Sequence, residues 1–174
     1  MIKSWKDIIW HQFGAAIDTL DNALEFCPES LWQALLFSER ELVPEFGEFW
    51  YIAYHAIFWL DYYLSEGKAS FSPPAPFTLS EFDPNGALPD NVYTKAELRD
   101  YIKYCRQKCK TRIDTLEDEF TPQACRPDWT NMTVAELLLY NMRHVQEHAA
   151  HLQLFLGQNA ISGPRWVSTA KKND

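Results

Sequence analysis

Glycine is scarce in this chain, with 6 in 174 residues, and no glycine-rich loop of the kind that cradles a phosphate is present. Strand-like alternation of apolar and polar residues is missing too, which removes the main signal for a sheet. No stretch approaches the roughly 20 apolar residues that cross a bilayer, so no membrane partner is expected. Positive charge is in deficit: 16 Lys and Arg stand against 24 Asp and Glu, a formal net charge of −8. That balance argues against a nucleic-acid partner, which calls for a basic stripe. The four cysteines, Cys27, Cys105, Cys109 and Cys125, are too few and too scattered for a disulfide scaffold. Cys105 and Cys109, four apart, could share a helix face; that is a weak zinc or redox signal beside the plainer reading of buried thiols. The start of the chain shows no basic region followed by an apolar run, so no signal peptide is expected. The expected setting is cytoplasmic, soluble and reducing.

What is abundant is apolar and aromatic surface, 47% and 15% of residues, with seven Trp. One domain of this length can bury it in a single core. Ser4 with Asp7 three residues on reads as a helix start, and apolar residues from Trp5 to Leu24 recur at spacings of three and four. Cys27-Pro28 ends this first helix near Phe26, and Ser30 to Leu36 reads as a short helical turn. Pro44 suits the first turn of a second helix, which is apolar on almost every side and stops at Gly67. Residues 69–93 hold Pro73, Pro74, Pro76, Pro84 and Pro89, too many for any helix. So long a link suits a crossover that returns along the bundle, so that helix three starts at the end where helix two started. Thr94-Lys95-Ala96-Glu97 and Thr133-Val134-Ala135-Glu136 are capping boxes that open helices three and four. Lys103, Lys108, Lys110 and Arg112 mark the solvated side of helix three, which Thr121-Pro122 ends, with Pro127-Asp128 keeping the next link irregular. The reading is an all-α four-helix bundle over residues 1–160, followed by a tail over 161–174. Helix two offers aromatic groups on more faces than one core can cover, Trp50, Tyr54, Phe58 and Tyr62 among them, so a homodimer is expected. The Trp-rich helix one is the alternative dimer surface.

Three of the five histidines, His144, His148 and His151, fall in the fourth helix. At about 100° per residue they lie at about 0°, +40° and −20°, on one narrow face. Neutral imidazole is a common metal ligand, although buried, hydrogen-bonded histidines would show the same stripe. His55, in the middle of apolar helix two, needs a polar partner. A metal shared with His144 and His148 would provide one and leave a coordination position open. His151 is a fourth ligand or a pocket residue, and His11 on helix one is left out of the set. Tyr140 and Asn141, one turn before His144, could orient whatever binds. No Glu has a His three residues later, which excludes a ferritin-like di-iron site. His144-Val-Gln-Glu147-His148 matches the inverted zinc-protease pattern literally, and Glu147 could activate water, but the all-helical setting and short remainder of the chain do not suit that protease class.

The segments WYIAYHAIFWLDYYL and ELLLYNMRHVQEHAAHL, with the proline-rich crossover between them, resemble the DinB superfamily of four-helix metalloproteins. The likeness spans nearly the whole chain as far as Gln158. It implies an up-down-down-up bundle and a divalent metal held by one His on helix two and His-x-x-x-His on helix four, here His55, His144 and His148. Zinc is the metal expected, with nickel or iron as alternatives. Some members of that group are thiol-dependent S-transferases or isomerases using bacillithiol, mycothiol or glutathione. The resemblance therefore implies a metal-dependent enzyme with a low-molecular-weight thiol and a small-molecule substrate. The alternatives are a hydrolase using metal-bound water with Glu147 as base, and a non-catalytic, metal-stabilised stress protein.

Overall fold

Four helices carry the chain: α1 Trp5–Phe26, α2 Phe49–Tyr63, α3 Lys95–Asp114 and α4 Val134–Gln158. They are seen in a computed structural model that describes residues 4–36, 44–65, 67–68, 71–116, 132–163 and 166–172. Three of the helices start as their sequences predict. Ser4, Thr94 and Thr133 each accept a hydrogen bond from the amide three residues on, and Asp7, Glu97 and Glu136 reach back to the cap amide. Each box pairs two backbone donors that the helix itself leaves unpaired.

The second helix starts differently from its sequence reading. Pro44–Gly47 is a separate 3-10 turn, and Glu48 is extended before α2 begins at Phe49. No side chain caps α2. The passing chain does so instead: Phe49 N–H donates to Ala34 O at 3.0 Å and Trp50 N–H to Trp32 O at 3.0 Å, while Leu36 N–H donates to Gly47 O at 2.8 Å just ahead of the helix. Leu35 and Glu48 form an isolated antiparallel β-bridge. The helical turn expected over Ser30–Leu36 shrinks to the 3-10 turn Glu29–Leu31. At the other end α2 stops at Tyr63, ahead of Gly67, whose φ of +140° serves the following turn rather than the helix cap. Helix α3 ends at Asp114 with Thr115 as its cap, so Leu116 lies beyond it. Cys125, Thr121-Pro122 and Pro127-Asp128 fall outside the described residues.

Contacts between segments distant in sequence fix the directions. Lys95 Nζ reaches Cys27 O, Arg99 reaches Asp21, Arg106 reaches Asp18, and Lys6 Nζ reaches Asp114 O, so α1 and α3 run antiparallel. Trp50 meets Tyr93, Cys105 meets Ile57 O, and Lys108 meets Ser65, so α2 and α3 run parallel. Phe49 meets Phe155, His55 meets His148, and Tyr63 meets Tyr140, so α2 and α4 run antiparallel. The order is up-down-down-up, with α1 and α2 each packed on both α3 and α4. Two parallel neighbours need a long return path, and residues 71–93 form it.

That return path changes the reading of α2. Trp50, Tyr54, Phe58 and Tyr62 are all buried within this chain. The rings of Phe71 and Phe82 lie 5.2 and 5.1 Å from Phe58, and 5.3 and 5.0 Å from Tyr62. Phe77 lies between Tyr54 and α3, its ring 4.4 Å from that of Tyr101. The crossover therefore covers the face of α2 that the bundle core leaves open, and the aromatic excess no longer calls for a second subunit. Each such ring contributes about 1.5–3 kcal/mol of burial.

Lys108 is also not on the solvated side. Its Nζ contacts Asp61 Oδ1 at 2.5 Å and Ser65 Oγ at 2.6 Å, while Tyr101 OH donates to Asp61 Oδ2 at 2.8 Å. The Asp61 side chain is 1% exposed. A buried carboxylate needs such partners. Part of the expected tail is docked. Ala170 N–H donates to His11 O at 2.9 Å, Lys171 N–H to Asp18 Oδ2 at 2.6 Å, and Lys171 Nζ to Asn22 Oδ1 at 2.7 Å. Gly14 makes room for it: a Cβ there would sit 2.5 Å from Ala170 Cβ. Among the described residues no helix is long and apolar enough to cross a membrane.

Candidate metal centre

His55 projects from the middle of α2 and His144 and His148 from successive turns of α4. Because the two helices are antiparallel neighbours, the three rings meet between them. Nε2 of His144 lies 3.4 Å from Nε2 of His55 and 3.1 Å from Nε2 of His148. One nitrogen from each ring falls within 4.8 Å of the other two, so the three could hold a metal ion together.

Hydrogen bonding alone does not account for this cluster. An imidazole nitrogen carries either one hydrogen or one lone pair in the ring plane. His144 Nε2 can therefore make one hydrogen bond, yet it has two Nε2 neighbours. A cation at the centre satisfies all three lone pairs at once. Zinc–nitrogen bonds of about 2.0–2.1 Å in a tetrahedron place the nitrogens about 3.3–3.4 Å apart, close to the observed spacings. Ligand histidines must also be unprotonated. Burial, reinforced by the neighbouring rings, lowers His144 to about 4 and His148 to about 3, so both are neutral at physiological pH. The donor set fits a divalent ion of the borderline type that imidazole favours. The His55 side chain is 32% exposed, so this member of the cluster is reached by solvent.

A fourth residue was not found from the sequence. Glu81, in the 3-10 turn Ser80–Phe82 of the crossover, lies 2.7 Å from His55 Nδ1 through Oε2. Trp59 Nε1–H donates to the same oxygen at 2.7 Å, and Tyr51 OH donates to Oε1 at 2.6 Å. Burial pushes the Glu81 carboxyl upward, but His55, Tyr51 and Trp59 outweigh it and hold its pKa below the ordinary glutamate range. Glu81 is one of three acids, with Asp83 and Asp90, in this aromatic, proline-rich stretch, and nothing local singles it out. Nothing periodic links positions 55 and 81.

The remaining candidates separate from the centre. His151 is not among the converging three; its ring lies 6.1 Å from that of His148. His11 is on α1, where its carbonyl holds the C-terminal segment. Glu147 is exposed, so the cluster does not include the carboxylate of the His-x-x-Glu-His pattern. Tyr140 packs its ring 5.4 Å from Tyr63, and Asn141 Nδ2 donates to Leu60 O at 3.1 Å, so both serve the α2/α4 contact. Cys27, Cys105 and Cys109 are buried free thiols. Burial pushes Cys27 up to about 12 and raises the other two as well, which unsuits them as nucleophiles. No family model, curated protein or solved structure matches the chain.

Proposed function

We propose that this protein is a divalent-metal enzyme of the DinB type, most simply a cytoplasmic thiol-dependent S-transferase or isomerase acting on a small molecule. The observation that carries the reading is the convergence of three Nε2 atoms from His55, His144 and His148 between two antiparallel helices. The bundle direction and the crossover agree with the resemblance, and the partial exposure of His55 suits access from solvent. Zinc suits the donor set best, with nickel or iron as alternatives. Three neutral ligands leave the full charge of a bound divalent ion available to lower the pKa of a thiol or polarise an electrophile. His55, His144 and His148 would hold the ion, and Val145, Ala149 and Leu152 are buried on the adjoining face of α4. No observation favours the hydrolase alternative, whose base was Glu147.

Cobalt substitution followed by titration with glutathione and other small thiols tests the reading. A sulfur-to-cobalt charge-transfer band in the near ultraviolet is expected for at least one thiol, together with turnover when that thiol is paired with a panel of electrophiles. Neither signal should survive in His148→Ala. An unchanged cobalt spectrum with every thiol would contradict the transferase reading and leave a metal-stabilised protein.

A further inference from the structure

Tyr51, His55 and Trp59 are spaced by four along α2 and share one stripe of its surface. All three point at one carboxylate. Glu81 receives Tyr51 OH on Oε1, and His55 Nδ1 and Trp59 Nε1 on Oε2. Its side chain is 5% exposed. The chain just before that turn is held by Tyr54 OH, which donates to Thr78 O at 2.9 Å. An indole nitrogen only donates and an ionised carboxylate only accepts. The hydrogen in the His55–Glu81 contact therefore sits on Nδ1, and Nε2 is left facing His144.

The other two rings differ. Nδ1 of His144 and Nδ1 of His148 are buried with no hydrogen-bond partner among the described residues. Their position comes from sharing α4, where successive turns set their separation. His55 stands alone on α2, and the terminal torsion of a histidine is broad and roughly two-fold. Without a hold on Nδ1 its ring could turn either nitrogen towards the cluster.

We propose that Glu81 is a positioning residue: it holds His55 as the Nδ1–H tautomer with Nε2 turned into the cluster, and so makes the proline-rich crossover part of the metal centre. The metal component of this inference rests on the function proposed above; the tautomer component does not. Outer carboxylates on ligand histidines fix the ring and raise its basicity, and their loss typically costs 10–100-fold in metal affinity.

Two measurements test it. Long-range proton–nitrogen NMR on metal-free wild-type protein at neutral pH reads the His55 tautomer directly. A proton on Nδ1 and none on Nε2 is expected, and the reverse pattern overturns the proposal whether or not any variant folds. Zinc affinity is then measured by competition with a chromophoric chelator. Glu81→Gln is expected to bind zinc about 10–100-fold more weakly. Tyr51→Phe removes another partner of the same carboxylate but leaves the His55 bond, and should stay near wild type. Unchanged affinity in Glu81→Gln, or an equal loss in Tyr51→Phe, overturns the positioning role in favour of simple anchoring of the crossover. Wild-type protein that takes up no zinc at all would instead defeat the functional reading, and the tautomer measurement would still judge this one.

Discussion

At the scale of single residues, the histidine cluster is a set of three rings facing one another, two of which, His144 and His148, burial keeps neutral. His148→Ala removes one of the three proposed ligands and should reduce bound zinc from about one ion per chain to near none; His151→Ala, outside the converging set, should keep it. Metal analysis after gel filtration checks both. The lowered values of His144 and His148 also fix a pH dependence for the metal-free protein. Each ring is neutral in the fold down to about 4 or about 3, but takes a proton near 6.5 when unfolded. Below about 6.5 the unfolded state therefore binds more protons, and stability falls as pH drops towards those folded values. Glu81 adds a loss in the same direction at lower pH, because its folded value is depressed. Urea midpoints between pH 7.5 and 5 should fall in the wild type and fall less in a His144→Gln, His148→Gln double variant. Equal slopes would contradict the assignment. The α4 pair could be read from sequence because a spacing of four on a helix is local geometry. His55 could be read because a polar ring in an apolar helix demands a partner. Glu81 could not, because its role depends on how an aperiodic segment folds back over α2.

At the scale of elements, α2 is covered twice, by the bundle core and by the crossover. Its all-round apolar character was legible, but the occupant of its outer face was not, since a second subunit and a folded-back loop bury rings equally well. The N-terminus of α2 was misplaced for a similar reason: Pro44 favours a helical first turn locally, yet capping by the chain at residues 32–36 starts the helix at Phe49. The α2/α3 contact holds a buried ion pair whose loss can be predicted. Lys108→Ala leaves Asp61 buried beside Tyr101 alone and should cost about 3–5 kcal/mol in urea unfolding; a loss below about 1 kcal/mol, typical of an exposed pair, would contradict the burial of Asp61. The C-terminal segment is fitted to α1 at Gly14. Glycine to alanine within a helix ordinarily stabilises by about 0.5–1 kcal/mol. Here the added methyl meets Ala170, so Gly14→Ala should speed hydrogen exchange at the amides of Ala170 and Lys171 while the α1 amides stay protected. Unchanged exchange at those two amides would mean that the segment is not docked there.

At the scale of the whole molecule, the up-down-down-up order makes α2 and α4 antiparallel neighbours, and this is what brings position 55 to positions 144 and 148. The capping boxes and helical periods made three helices readable, and the long proline-rich link suited a return path that lets helices two and three run parallel, as they do. The docked C-terminus escaped because its contacts are a few isolated bonds from Ala170 and Lys171 to His11, Asp18 and Asn22, with no periodic pattern in the segment itself. An ion held between α2 and α4 binds only the folded chain, so free zinc at 100 times its dissociation constant should stabilise the protein by about 2.7 kcal/mol, and chelation should reverse that gain. The most direct measurement is zinc K-edge absorption on tag-free wild-type protein loaded with one equivalent of zinc. Three imidazole nitrogens at about 2.0–2.1 Å, together with loss of that signature in His148→Ala, is the result the account predicts. A shell dominated by sulfur, or an unaltered shell in His148→Ala, would contradict it.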